Sequence, residues 1–175
     1  MHSPNELIQD EQGWYFVGAF SSFEDVDHLG DGNTCPILPG CNTFHIPKPE
    51  QPDKPRANQS RSSLDEQVLV FKYKGTMHAI DNKCPHSSFP LKQGTIFDIE
   101  DVGPGIKCFR HGWTFDLFSG RADRGNGRTR LSFWDIKLRD LQQPRTSAEG
   151  ENDGSTRGGD ANGDTNKEVW VRRKH

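Results

Sequence analysis

Short runs in which apolar and polar residues alternate, broken by Gly, Pro, Asn and Asp, dominate the chain. That period predicts strands rather than helices. Residues 14–19 are aromatic and β-branched and read as a first strand; residues 22–26 read as a turn or a short helical start. Residues 65–73 form a second strand, with Val68 and Val70 on one face and Leu69 and Phe71 on the other. Lys74-Gly75 is a hairpin turn signal, residues 77–80 are the return strand, and Asp81-Asn82 ends it. Pro104-Gly105 marks another turn. Residues 106–109 and 113–118 read as strands, the latter closed by Ser119-Gly120. Residues 131–138 read as a long strand with Leu131, Phe133, Ile136 and Leu138 inward, and residues 168–172 as a last one. The pattern predicts an all-β fold of antiparallel sheets.

Two stretches carry no such period. Residues 27–63 are rich in Pro and Gly and read as an irregular insertion between the first two strands, either a partner-docking loop or a solvated one. Residues 144–167 are of low complexity and read as an over-long loop before the last strand. The remainder is expected to form a single domain over residues 1–175.

Composition narrows the function. Only 31% of the 175 residues are hydrophobic, with 18 Gly and 11 Pro, so the core is small for the length and turns are many. A net charge of −3 argues against nucleic acid as a partner. No apolar run is long enough to span a bilayer. The first residues lack the basic and apolar regions of a leader, and Glu6, Asp10 and Glu11 come early, so a cytoplasmic location is expected. The four Cys suit a reducing compartment. Cys35 and Cys41 are expected to be free thiols, with only His28 and His45 near them in sequence.

The chemistry concentrates in two loops. Cys84-Pro85-His86 and Cys108-Phe109-Arg110-His111 each pair one thiol with one imidazole, and residues 87–107 separate them. Folding must bring the loops together, and two Cys with two His make a metal-ligand set. A structural zinc site uses the same set, which leaves a zinc-stabilised binding module as one reading. Zinc modules, however, usually place the Cys pair on one side and the His pair on the other. Here each loop is mixed.

Cys-x-His, a spacer and Cys-x-x-His-Gly, followed by Trp113-Thr114-Phe115-Asp116, resembles the Rieske [2Fe–2S] family. The resemblance implies a Rieske fold with a smaller cluster-binding subdomain, residues 82–122, formed by two ligand loops on hairpins. It implies that Cys84 and Cys108 hold one iron of a [2Fe–2S] cluster and His86 and His111 the other, through Nδ1, with Nε2–H facing outward. Neutral imidazoles in place of thiolates raise the potential into a range of about −150 to +300 mV, against about −400 mV for plant-type ferredoxins.

Departures from the family pattern indicate the subclass. The extra loop cysteines of the cytochrome-complex members are absent, with Phe89 and Arg110 in those regions, and Trp113 and Phe115 stand where those members carry hydroxyls. A potential near the lower limit is expected. Residues 124–128 carry Gly and Arg where a Pro-containing loop commonly covers the cluster. Gly112 after His111 is expected to let the backbone approach the cluster without a Cβ.

The resemblance implies a Rieske-type ferredoxin, a one-electron carrier between a flavin-dependent reductase and a terminal oxygenase or similar acceptor. A small subunit of a multi-component oxidoreductase, of the nitrite reductase kind, is the alternative. A catalytic oxygenase needs a mononuclear iron held by two His and a carboxylate. The remaining His2, His28, His45, His78 and His175 offer no helix-spaced pair, and no stretch of this sequence is left for that domain.

Overall fold

The structure is a computed structural model, described here for residues 7–26, 40–47, 64–141 and 166–174. Cys35, His28 and the bulk of both aperiodic stretches lie outside the described residues. Among the described residues nine strands form three antiparallel three-stranded sheets, and there is no α-helix.

The first sheet is β1 (Tyr15–Ala19), β9 (Lys167–Arg173) and β8 (Trp134–Asp140), with β9 in the middle. The second is β2 (Asn42–His45), β3 (Gln67–Tyr73) and β4 (Thr76–Asp81), centred on β3. The third is β5 (Thr95–Ile99), β6 (Gly103–Lys107) and β7 (Thr114–Asp116), centred on β6.

The second sheet is the middle layer. Leu69, Phe71, Tyr73 and Ile80 pack with Ile106, Phe115, Leu117 and both ligand-loop cysteines. Val68, Val70 and Ala79, on the opposite face, pack with Val17, Phe23, Trp134, Val169 and Val171 of the first sheet's side. Both faces of β3 are thus covered. A strand covered on both faces is a continuous apolar run, which is what residues 68–71 are. Full burial of each of these side chains is worth about 1.5–3 kcal/mol.

The hairpin joining β3 to β4 is set locally. Lys74 and Gly75 both have positive φ, at 48° and 75°, the two-residue turn whose twist matches the strands. The Asp25 carboxylate accepts from the Lys74 and Gly75 amides at 2.8 and 2.6 Å. On β4, His78 is buried and stacked on its cross-strand partner Phe71, 5.3 Å between centroids. It is a packed strand residue.

Several details differ from the sequence reading. Pro104-Gly105 lies inside β6, and the turn is at residues 100–102, with Asp101 left-handed at φ 62°. Pro104 is tolerated because β6 pairs with β7 only from Gly105 onward, so its missing N–H breaks no ladder bond there. β2 falls inside the stretch read as irregular, and β5 was not anticipated. In the strand read over residues 131–138, Trp134 is buried and Leu138 faces outward, 39% exposed. Leu131 and Phe133 precede β8, and a bridge from Phe133 to Ile80 ties the first and second sheets.

β8 and β9 pair from Trp134↔Arg173 to Asp140↔Lys167, so residues 142–165 connect adjacent antiparallel strands. Among the described residues no helix is long and apolar enough to cross a membrane.

Candidate metal centre

The two ligand loops leave β4 and β6 and close on themselves in the same way. In the first, the Cys84 amide donates to the Phe89 carbonyl at 2.8 Å, and the Ser88 amide donates to the Cys84 carbonyl at 2.8 Å. In the second, the Cys108 amide donates to the Trp113 carbonyl at 2.8 Å, and the Gly112 amide donates to the Cys108 carbonyl at 3.0 Å. The fourth residue after each cysteine is left-handed, Ser88 at φ 52° and Gly112 at φ 68°. The loops are congruent turns although one histidine sits two residues after its cysteine and the other three.

Gly112 has a backbone role in this geometry: its φ of 68° lies in the left-handed region, which glycine adopts without the cost a Cβ brings.

The congruent turns place the thiols and imidazoles differently. Cys84 and Cys108 are fully buried, 0% and 1% exposed, in the cluster that includes Leu91, Ile106 and Phe115. His86 and His111 are exposed, with ring centroids 5.2 Å apart at 79°. The Ser87 hydroxyl of the first loop lies 3.7 Å from the Cys108 sulfur of the second. All four residues singled out in the sequence therefore converge.

Neighbouring groups hold the loops. Asn82, buried at the end of the hairpin, donates from Nδ2 to the Gln67 Oε1 at 3.0 Å and accepts the Lys92 amide at 2.8 Å through Oδ1. This ties the start of the first loop to β3 and to the turn Leu91–Gln93. Trp113 stacks on His86, 4.0 Å between centroids and 12° between planes. Residues 124–128 back that ring: a Cβ on Gly125 would lie 2.9 Å from Trp113 Cη2. The Gly/Arg segment thus closes on Trp113, and the indole covers the imidazole. Ser87, Ser88 and the Trp113 stack were not recognised in the sequence. The aromatic after His-Gly was its one visible sign.

The donor set suits a two-iron group of mixed ligation: two thiols shielded from water, two imidazoles at the surface, and a hydroxyl beside one sulfur. Among the described residues no group of three or more His, Cys, Asp or Glu side chains is placed around a single ion. Cys41 is a separate, free and buried thiol, its pKa pushed up to about 12 by burial, against a smaller lowering by the Lys92 charge. His45 pairs with Glu66 at 2.9 Å, away from the loops.

The family model described as Rieske [2Fe–2S] domain matches residues 44–135, more than half the chain. The chain belongs to the Rieske [2Fe–2S] family. Its cofactor is accordingly a [2Fe–2S] cluster. A 4β-methylsterol monooxygenase of Methylococcus capsulatus is 34% identical over 84 residues, 45% of this chain and 21% of that protein. A human Rieske domain-containing protein is 41% identical over 56 residues, 32% of this chain and 35% of that protein. The match thus spans about a fifth and a third of these two relatives.

Among solved structures, a complex of reduced oxygenase and oxidised ferredoxin in carbazole 1,9a-dioxygenase aligns at a TM-score of 0.48 and 15% identity. The alignment covers 94% of this chain and 99% of that one. The ferredoxin of carbazole 1,9a-dioxygenase from Nocardioides aromaticivorans aligns at 0.38 and 20%, covering 62% and 76%. A nitrite reductase small subunit from Mycobacterium tuberculosis aligns at 0.42 and 14%, covering 62% and 75%.

Proposed function

We propose that this Rieske protein is a one-electron carrier, taking an electron from a flavin-dependent reductase and passing it to an oxygenase or similar acceptor. When bound, the [2Fe–2S] cluster supplies reversible one-electron chemistry. In this reading Cys84 and Cys108 hold one iron and His86 and His111 the other. The observation that carries it is the convergence of two buried thiols and two exposed imidazoles on congruent loops. Burial keeps water from the thiolates. Exposure of the imidazoles leaves a short path from the site to a docked protein, and their outer N–H groups are free to donate across that interface.

The loops favour rapid exchange of electrons because they are held before any partner arrives. Their closing hydrogen bonds, the Asn82 ties and the Trp113 stack restrict rearrangement between oxidation states. Hydrogen bonds to the sulfurs raise a cluster's potential. Among the described residues one side-chain hydroxyl, that of Ser87, approaches a ligand-loop sulfur, and Trp113 and Phe115 supply none. A potential near the lower limit of the Rieske range, about −150 mV, follows.

The deciding experiment is iron and acid-labile sulfide analysis of the purified protein, with an electron paramagnetic resonance spectrum after reduction. Two irons and two sulfides, and a signal of mixed nitrogen and sulfur ligation, are expected. A single colourless divalent ion without sulfide would instead identify a zinc-stabilised module. Replacing His111 by Cys is expected to lower the potential or abolish loading. An unchanged potential in a fully loaded variant would remove His111 from the ligand set.

A further inference from the structure

The charge around the site runs against the charge of the chain. The whole protein is at −3, yet from Cys108 to Arg130 it carries Arg110, Arg121, Arg124, Arg128 and Arg130 against only Asp116 and Asp123. Both acids are engaged. The Asp116 carboxylate accepts from the Phe118 amide at 2.8 Å and from Ser119. Asp123 accepts the Thr114 amide at 3.1 Å and lies 3.6 Å from Arg124. Arg110, Arg121, Arg128 and Arg130 are exposed and form no ion pair among the described residues.

The fold gathers these cations at the histidines. Arg110 precedes His111. The Gly125 turn packs on Trp113, which stacks on His86, so the segment bearing Arg124 and Arg128 borders the site. Arg121 bridges to Arg130, and its guanidinium lies over Gly127 of the same segment. Lys107 reaches over Gly112. Within this basic rim Phe109, next to Cys108, is 70% exposed, the most exposed large apolar side chain among the described residues. An aromatic anchor inside a charged rim is the anatomy of a protein-docking surface.

We propose that this face docks an acidic protein redox partner, which seats Phe109 in an apolar recess while its carboxylates meet the arginine rim. The proposal rests on the electron-carrier reading and adds the partner's surface chemistry. Local charge, not net charge, then governs encounter, because at ordinary salt the field of remote acids is screened within about 10 Å.

Two measurements on the cluster-loaded protein test this. In the first, binding of an oxidised plant-type [2Fe–2S] ferredoxin, used as a defined acidic protein, is followed by titration calorimetry. Kd is expected to weaken about tenfold between ~20 and ~200 mM salt. The triple variant Arg110→Gln, Arg128→Gln, Arg130→Gln is expected to weaken binding about tenfold at low salt. Phe109→Ala is expected to weaken it about fivefold at either salt. Iron and sulfide content should be unchanged in both. Should the triple variant load poorly, Arg128→Gln alone carries the test with a smaller change.

In the second, the reduced protein gives one electron to ferricyanide, forming ferrocyanide, or to the cation tris(phenanthroline)cobalt(III). The ferricyanide rate is expected to fall with ionic strength and the cobalt rate to rise. A ferricyanide rate that rises with salt, as the net charge of −3 dictates, would overturn the proposal. So would ferredoxin binding that is absent or indifferent to the arginine and Phe109 changes. Purified protein lacking iron and sulfide would sink the carrier reading as well, which keeps the two failures apart.

Discussion

Ser88 is a non-glycine residue at φ 52° in the position that Gly112 fills in the other loop. A left-handed non-glycine residue costs about 1–2 kcal/mol. Ser88→Gly is therefore expected to raise stability by about 0.5–1 kcal/mol after its own unfolded-state entropy is counted, read as a higher urea midpoint. A lower midpoint would show that the serine side chain makes up for its backbone. Its neighbour Ser87 is expected to act on the potential instead. The Ser87 hydroxyl lies 3.7 Å from the Cys108 sulfur, and a single such bond is worth about 0.5–1.5 kcal/mol. Ser87→Ala is expected to lower the potential by roughly 20–60 mV in a redox titration. No change would place the hydroxyl outside the sulfur's influence. That Cys84, His86, Cys108 and His111 come together in the fold was legible, because two loops that each pair a cysteine with a histidine stand out in the sequence. Ser88 was not, since serine gives no sign of a positive φ, and the equivalence of the two loops was hidden behind one glycine.

Among elements, the β3–β4 hairpin was the most legible. Lys74-Gly75 between apolar runs has one economical solution, and the turn adopts it. The same hairpin carries a buried histidine that sequence alone treats as ordinary. Burial lowers the His78 pKa to about 4, since the charged form would lose its hydration, and its Nε2 has no hydrogen-bond partner among the described residues. The sign follows directly. Above about pH 6.5 the residue is neutral folded and unfolded and has no effect. Between 6.5 and 4 only the unfolded chain takes up the proton, so stability falls with acidification by at most about 1.4 kcal/mol per pH unit. His78→Phe, which keeps the stack on Phe71, is expected to flatten that part of the pH profile of the urea midpoint relative to wild type. A parallel profile would contradict it. β5 and β6 were harder to read. Gly103, Pro104 and Gly105 have turn composition, but their strand begins where only one neighbour needs amides, and Gly105 is small because Ile99 fills the space above it. Trp134 in place of Leu138 at the buried end of β8 is a register question, and irregular apolar spacing leaves such a register open.

At the level of the molecule, the all-β class and the long β8–β9 connection were visible in alternation and composition. The three-layer order was not, because it depends on which strands neighbour one another across long stretches of sequence. β8 and β9 pair fully, and the Leu141 amide donates to the Asn166 carbonyl at 3.0 Å beyond the last register pair. Replacing residues 142–165 by a four-residue turn is expected to add about 1–2 kcal/mol of stability from reduced loop-closure entropy, with iron content retained. A loss of iron or a fall in stability would assign that connection a structural role.

The middle layer has no weather side. Because Leu69 and Phe71 press on the half that carries Cys84 and Cys108 while Val68 and Val70 press on the terminal strands, adjacent positions on one strand answer to different masters. A substitution in this layer must therefore fit two cores at once. Grafting the half that carries the two Cys/His loops onto another scaffold would require carrying β3 along with it as a foundation.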